Sequence, residues 1–166
     1  MLVLEAKLAG TKEQYEKLNE AIRTARFVRN ICLRYGMDNK NIGKYELSAY
    51  CAVLASQFEL AKNLNSMAGQ ARAERAGSAI SRFYDNCNKD KPGKEGYPRF
   101  TKQQTYGSVE YETSEWKLSE ERRYITFSDN FKAGTFKMWE TCDLHFYQLK
   151  QIKGVRVVCR ADGYYA

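Results

Sequence analysis

A chain of 166 residues is long enough for one compact domain, or for two small lobes sharing an interface. Its hydrophobic content of 43% excludes a chain disordered throughout, and no apolar run approaches the length of a membrane span. The net charge of +7, with 12 tyrosines and 8 phenylalanines, suits a polyanionic partner whose bases stack on aromatic rings, though many of those rings must serve a core.

Residues 2–8 alternate Leu2, Leu4, Ala6 and Leu8 against Val3, Glu5 and Lys7, which predicts a half-buried strand. With Glu5 inside it, the segment is not a signal peptide, and the expected location is the prokaryotic cytoplasm, at the nucleoid. Thr11-Lys12-Glu13-Gln14 has the form of a capping box and starts a helix that should run to about Tyr35, where Gly36 stops it. Tyr15, Leu18, Ile22, Ala25, Val28 and Cys32 make its buried stripe, and Arg23, Arg26, Arg29 and Arg34 lie largely off it. Those arginines suit a nucleic-acid face, or equally the charged outer face of an ordinary amphipathic helix.

A second helix is expected over about Tyr45–Leu64, on the stripe Leu47, Cys51, Leu54, Phe58 and Ala61. A third should cover Met67–Cys87, on Ala73, Ala76, Ile80, Phe83 and Cys87. Gly69 and Gly77 within it each cost about 1 kcal/mol against alanine, so something should need their space. A close helix is the commoner reason and a nucleic-acid duplex the other.

Residues 89–102, Lys-Asp-Lys-Pro-Gly-Lys-Glu-Gly-Tyr-Pro-Arg-Phe-Thr-Lys, hold both prolines of the chain, and here the period changes from helical to two. This joint is either a solvated basic loop or a phosphate contact. Strands follow at Ser108–Thr113, at Trp116–Leu118 with Arg123–Phe127 as a hairpin, at Gly134–Trp139, at Leu144–Leu149 and at Gly154–Arg160. Ala161-Asp162-Gly163 turns the chain into a short returning strand that ends at Ala166, as if a longer protein were divided there. That short strand predicts marginal stability unless RNA or a partner completes the sheet.

The resulting class is α+β. A small β-barrel is interrupted after its first strand by a helical insertion, with residues 1–10 and 91–166 forming the barrel and 11–90 the helices. Self-contained chemistry is not evident. The single histidine, His145, has no Ser or Cys in motif spacing, and the Walker, dinucleotide and zinc-protease motifs are missing. The five cysteines (Cys32, Cys51, Cys87, Cys142 and Cys159) form no Cys-x-x-Cys pair, so they read as reduced, buried thiols rather than a zinc site.

Four segments carry a resemblance. They are the opening strand with its capping box, Ala25-Arg26-Phe27-Val28-Arg29-Asn30, Gly96-Tyr97-Pro98-Arg99-Phe100 with a basic residue after it, and Val155–Arg160 with the turn to Tyr164-Tyr165. In this order the chain resembles the N-terminal half of TnpB, the RNA-guided nuclease of insertion sequences that is ancestral to type V CRISPR effectors. The resemblance implies an oligonucleotide-binding-type barrel, the wedge, interrupted by a recognition domain. It implies guide RNA and target double-stranded DNA as partners, and a RuvC nuclease on a separate chain or a second related effector. Any magnesium would belong to that RuvC domain, so no cofactor and no catalytic residue is expected here.

Carried over onto this sequence, the resemblance places contacts to a short DNA motif beside the target at Lys44, Tyr45, Ser48, Ser66, Gln70, Thr113 and Ser114. Gln70 lies one turn after Ser66 on the same helix face, and glutamine can bond an adenine edge in the major groove. For RNA the candidates are Arg26, Arg29, Lys94, Arg99 and Lys102, because arginine bonds phosphate in a fork and stacks on bases. Arg99 could instead bond backbone carbonyls at the joint. Two other readings stand beside this one: a stand-alone nucleic-acid-binding regulator derived from a truncated transposon protein, and a small enzyme pairing a cysteine with His145.

Overall fold

A computed structural model describes residues 2–39, 42–64, 66–89, 96–102, 106–112, 114–139 and 142–166. The chain enters through a three-residue strand, β1 (Lys7–Ala9), and passes into α1 (Lys12–Asp38). Helices α2 (Lys44–Gln57), α3 (Glu59–Asn63) and α4 (Ser66–Asn88) follow. After the joint come β2 (Ser108–Glu112), β3 (Trp116–Leu118), β4 (Tyr124–Phe127), β5 (Gly134–Trp139), β6 (Gly154–Arg160) and β7 (Gly163–Tyr165).

The seven strands form one antiparallel sheet in the order β2-β6-β7-β1-β5-β4-β3. β1, from before the helices, sits between β7 and β5, so the helices are an insertion into the sheet. The edge strands β2 and β3 adjoin in sequence across a tight corner, where the Glu115 N–H donates to the Glu112 carbonyl (2.9 Å) and the Ser128 N–H to the Glu115 carbonyl (2.8 Å). The sheet thereby curls into a nearly closed barrel. Alternation along each strand sends Leu8, Val109, Tyr111, Ile125, Phe136 and Val157 inside, all at most 2% exposed. Full burial of such side chains stabilises the fold by about 1.5–3 kcal/mol each.

The capping box forms as expected: the Gln14 N–H donates to Thr11 Oγ1 (3.3 Å), and the Thr11 N–H donates to Gln14 Oε1 (2.9 Å). Gln14 Nε2 also donates to the carbonyls of Ala133 and Thr135, and Tyr15 stacks on Tyr164 with centroids 5.1 Å apart. The first turn of α1 is thus fastened to one end of the barrel.

Several expectations are corrected. Gly36 does not stop α1, which runs on to Asp38; a Cβ there would meet Ile80 Cδ1 at 2.6 Å, so Gly36 admits α4 instead. The expected second helix is two, because Phe58 is extended (φ −126°) and packs edge-on against Phe27, 5.2 Å between centroids. Residues 144–149 are not a strand: they run through the 3-10 turn Cys142–Phe146, a bend at Tyr147 and the start of a second 3-10 turn, Leu149–Gln151, tied down by Arg122 Nη1 bonding the carbonyls of Leu144 and Tyr147. Cys87 is exposed; of the other described thiols Cys32 is buried and Cys51 and Cys159 are half-buried, while the Cys142 side chain lies outside the described residues. The returning strand β7 is no open edge, since it pairs with β6 on one side and β1 on the other.

Candidate nucleic-acid interface

One face of α2 is built from small side chains one turn apart: Ser48, Ala49, Ala52 and Ala55. The first turns of α4 repeat the device with Ser66, Gly69 and Gln70. Two slim faces leave a gap, and a groove of about 630 Å³ runs between them. Its third wall is the β4–β5 loop, Ser128-Asp129-Asn130, so the groove lies where the inserted helices meet the barrel.

Four of the residues singled out from the sequence line this groove: Tyr45, Ser48, Ser66 and Gln70. Tyr45 is 76% exposed and Lys44 Nζ sits 5.0 Å from its ring centre, at the same end of α2. Ser114 Oγ lies 3.7 Å from Met67 Sδ, which puts the barrel corner beside the start of α4. Thr113 and Lys94 lie outside the described residues.

The loop wall and the adjoining corner are held by buried acids that show no period in the sequence. Asp129 is 8% exposed and its Oδ2 accepts from the Tyr111 hydroxyl at 2.6 Å. Burial pushes its carboxyl above the ordinary range, opposed by bonds from Tyr111 and from the backbone of Lys132 and Phe131. Glu115 is wholly buried at the corner, accepting from the Glu112 N–H (2.9 Å), and burial raises its carboxyl too, against the opposing backbone bonds of Glu112 and Ala68.

Because both folded-state carboxyls titrate above their unfolded values, at each pH from about 4 upward through the raised range the folded state holds more protons than the unfolded state. Stability should therefore fall with rising pH from the ordinary carboxyl range through the raised one, then level off. Asp129→Asn keeps an acceptor for Tyr111 and removes that titration. Thermal melts should show wild type losing ground to this variant between acid and neutral pH, and parallel curves would refute the assignment.

α4 is fixed to β2 by arginines. Arg72, 7% exposed, donates through Nη2 to the Ser108 carbonyl, and burial lowers its guanidinium to about 10. Arg75 and Arg156 both pair with Glu110, the latter at 2.5 Å. Nothing in the pattern marks Arg72 as buried, because it sits among alanines on a face that reads as ordinary helix packing.

The joint is clamped to α1. Asn30 Nδ2 donates to the Thr101 carbonyl and Asn30 Oδ1 accepts from the Thr101 N–H, both at 3.0 Å. Arg29 Nη1 donates to Thr101 Oγ1 (2.9 Å) and more weakly to the Arg99 carbonyl (3.4 Å). Burial lowers the Arg29 guanidinium. Two of the quoted sequence motifs therefore touch each other, and Arg29 faces the joint while the Arg99 and Lys102 side chains are exposed. Arg26 is half-buried near Gly107, where a Cβ would lie 2.9 Å from its Nη2. Asn30→Ala should cost about 1–2 kcal/mol in urea unfolding, more than Asn30→Asp, which keeps the acceptor. Equal losses would contradict the clamp.

His145 is exposed on its 3-10 turn. Among the described residues no helix is long and apolar enough to cross a membrane. No family model matches the chain, and no curated protein is significantly similar to it.

Proposed function

We propose that the chain is the RNA- and DNA-binding part of a TnpB-like RNA-guided effector, with the barrel as wedge and the helices as recognition domain. The short duplex motif beside the target is read in the groove by Gln70, with Tyr45, Ser48 and Ser66 shaping its path. Guide RNA lies along the joint, where Arg99 and Lys102 are offered to phosphates and Arg29 with Asn30 holds the strand that presents them. Cleavage belongs to a RuvC domain outside these residues, together with its magnesium. The complex would work in the prokaryotic cytoplasm, at the nucleoid.

The observation that supports this reading is the convergence of Tyr45, Ser48, Ser66 and Gln70, from two separate helices, on one groove at the helix–barrel junction. A filter-binding titration should show preference for the element's own guide RNA over random RNA, with affinity falling steeply as salt rises. Equal affinity for both RNAs would overturn the proposal. A stand-alone nucleic-acid-binding regulator is the second reading, favoured by the pairing of β7 on both sides, which leaves that strand no need of a partner chain. Specific duplex binding by the chain without any RNA would decide for it.

A further inference from the structure

The outer face of the barrel carries an alternation of rings and cations that the groove and the joint do not use. Register places Tyr124 opposite Lys137, and Lys7 opposite both Trp139 and Tyr165, so these side chains share one face across β4, β5, β1 and β7. Trp139 is 52% exposed and Tyr124 42% exposed. Lys137 Nζ lies 4.6 Å from the Trp139 ring centre, and Lys7 Nζ and Arg160 lie 5.5 and 4.6 Å from that of Tyr165. At one end acids neutralise the cations: Lys7 pairs with Asp162 at 3.1 Å, and Arg160 with Glu5. At the Tyr124–Lys137–Trp139 end, among the described residues, Lys137 has no carboxylate within ion-pair distance.

We infer that this end of the sheet is a stacking platform for a single-stranded segment of RNA, with bases on Trp139 and Tyr124 and phosphates beside Lys137. Exposed rings with a lysine beside them supply the stacking and the phosphate contact of sequence-tolerant single-strand binding. Strands about 4.8 Å apart place Tyr124 and Trp139 on neighbouring strands, close enough to serve successive bases. The choice of RNA rests on the proposed function; the platform itself does not.

The two tryptophans of the chain make a direct test, because Trp116 is 7% exposed and Trp139 is not shielded. The full chain is titrated with an oligouridylate of about 12 nucleotides while tryptophan emission is followed. Emission should be quenched on binding, and Trp139→Phe should remove the quenching while binding, read by anisotropy, persists. The pair Trp139→Ala with Tyr124→Ala should weaken binding about tenfold or more, with Trp116 emission and the thermal melt unchanged. RNA bound without quenching, binding of that double variant within twofold of wild type, no binding at all, or tighter binding of the matching DNA strand would each overturn the inference. Motif preference in duplex DNA, read with Gln70→Ala, reports on the groove separately. Quenching without motif preference would retire the groove reading and keep the platform; motif preference without quenching would do the reverse.

Discussion

Gly77→Leu should lower the thermal midpoint by roughly 5–10 °C, from about 2–3 kcal/mol of overpacking in a protein of this size. A Cβ at Gly77 would lie 3.1 Å from Lys44 Cα and 3.2 Å from Lys44 Cβ, so backbone rather than a pliant side-chain tip stands in the way. The first turn of α2 must move for any larger side chain to fit, and Lys44 and Tyr45 move with it. Gly77→Ala sets that clash against the helix-propensity gain of about 1 kcal/mol and should come out near neutral. Gly69, on the same helix, is the contrast: a Cβ there meets nothing within 4 Å. Gly69→Ala should therefore stabilise the free protein by up to about 1 kcal/mol. Scanning calorimetry of the three variants checks the ordering, and a destabilised Gly69→Ala beside an unaffected Gly77→Leu would reverse the assignment of which glycine separates helices.

Gln70→Ala should reduce discrimination between the true motif and a mismatched duplex by about tenfold to a hundredfold. A bidentate amide-to-adenine contact discriminates by about 1–3 kcal/mol, and alanine cannot make it. Affinity for guide RNA should stay within about twofold, because Gln70 lines the groove and the RNA candidates lie at the joint. Competition titrations with matched and mismatched duplexes measure the ratio. A uniform loss on both duplexes would assign Gln70 to the backbone rather than to base reading.

Most of the fold was legible because its periodicities are strong. The stripe from Leu18 to Cys32, the capping box at Thr11, and the strands around Ser119–Arg122 all form where the pattern places them. The failures share a cause: a local signal was decided by a distant neighbour. Gly36 reads as a helix stop, yet Ile80 across the helix pair determines its use. Leu144–Leu149 looks like a strand, but Arg122 holds its carbonyls in turns. The short β7 suggests an open edge because β1, the strand that covers it by pairing Lys7 with Tyr165, lies at the other end of the sequence. At the candidate site, the helix residues were found by resemblance. Asp129 and Glu115 were not, since loop and corner acids show no period, and only burial reveals their work.

A duplex seated in the groove between α2, α4 and the β4–β5 loop would bring its base edges against Gln70. Replacing Gln70 with p-benzoylphenylalanine and irradiating the chain with its guide RNA and a motif-bearing duplex reads that placement. Cross-links are expected only at the base pairs flanking the guide-complementary stretch, and they should be lost when Ser48→Arg fills the groove. Cross-links to RNA only, or to duplex positions without preference for the flank, would contradict it.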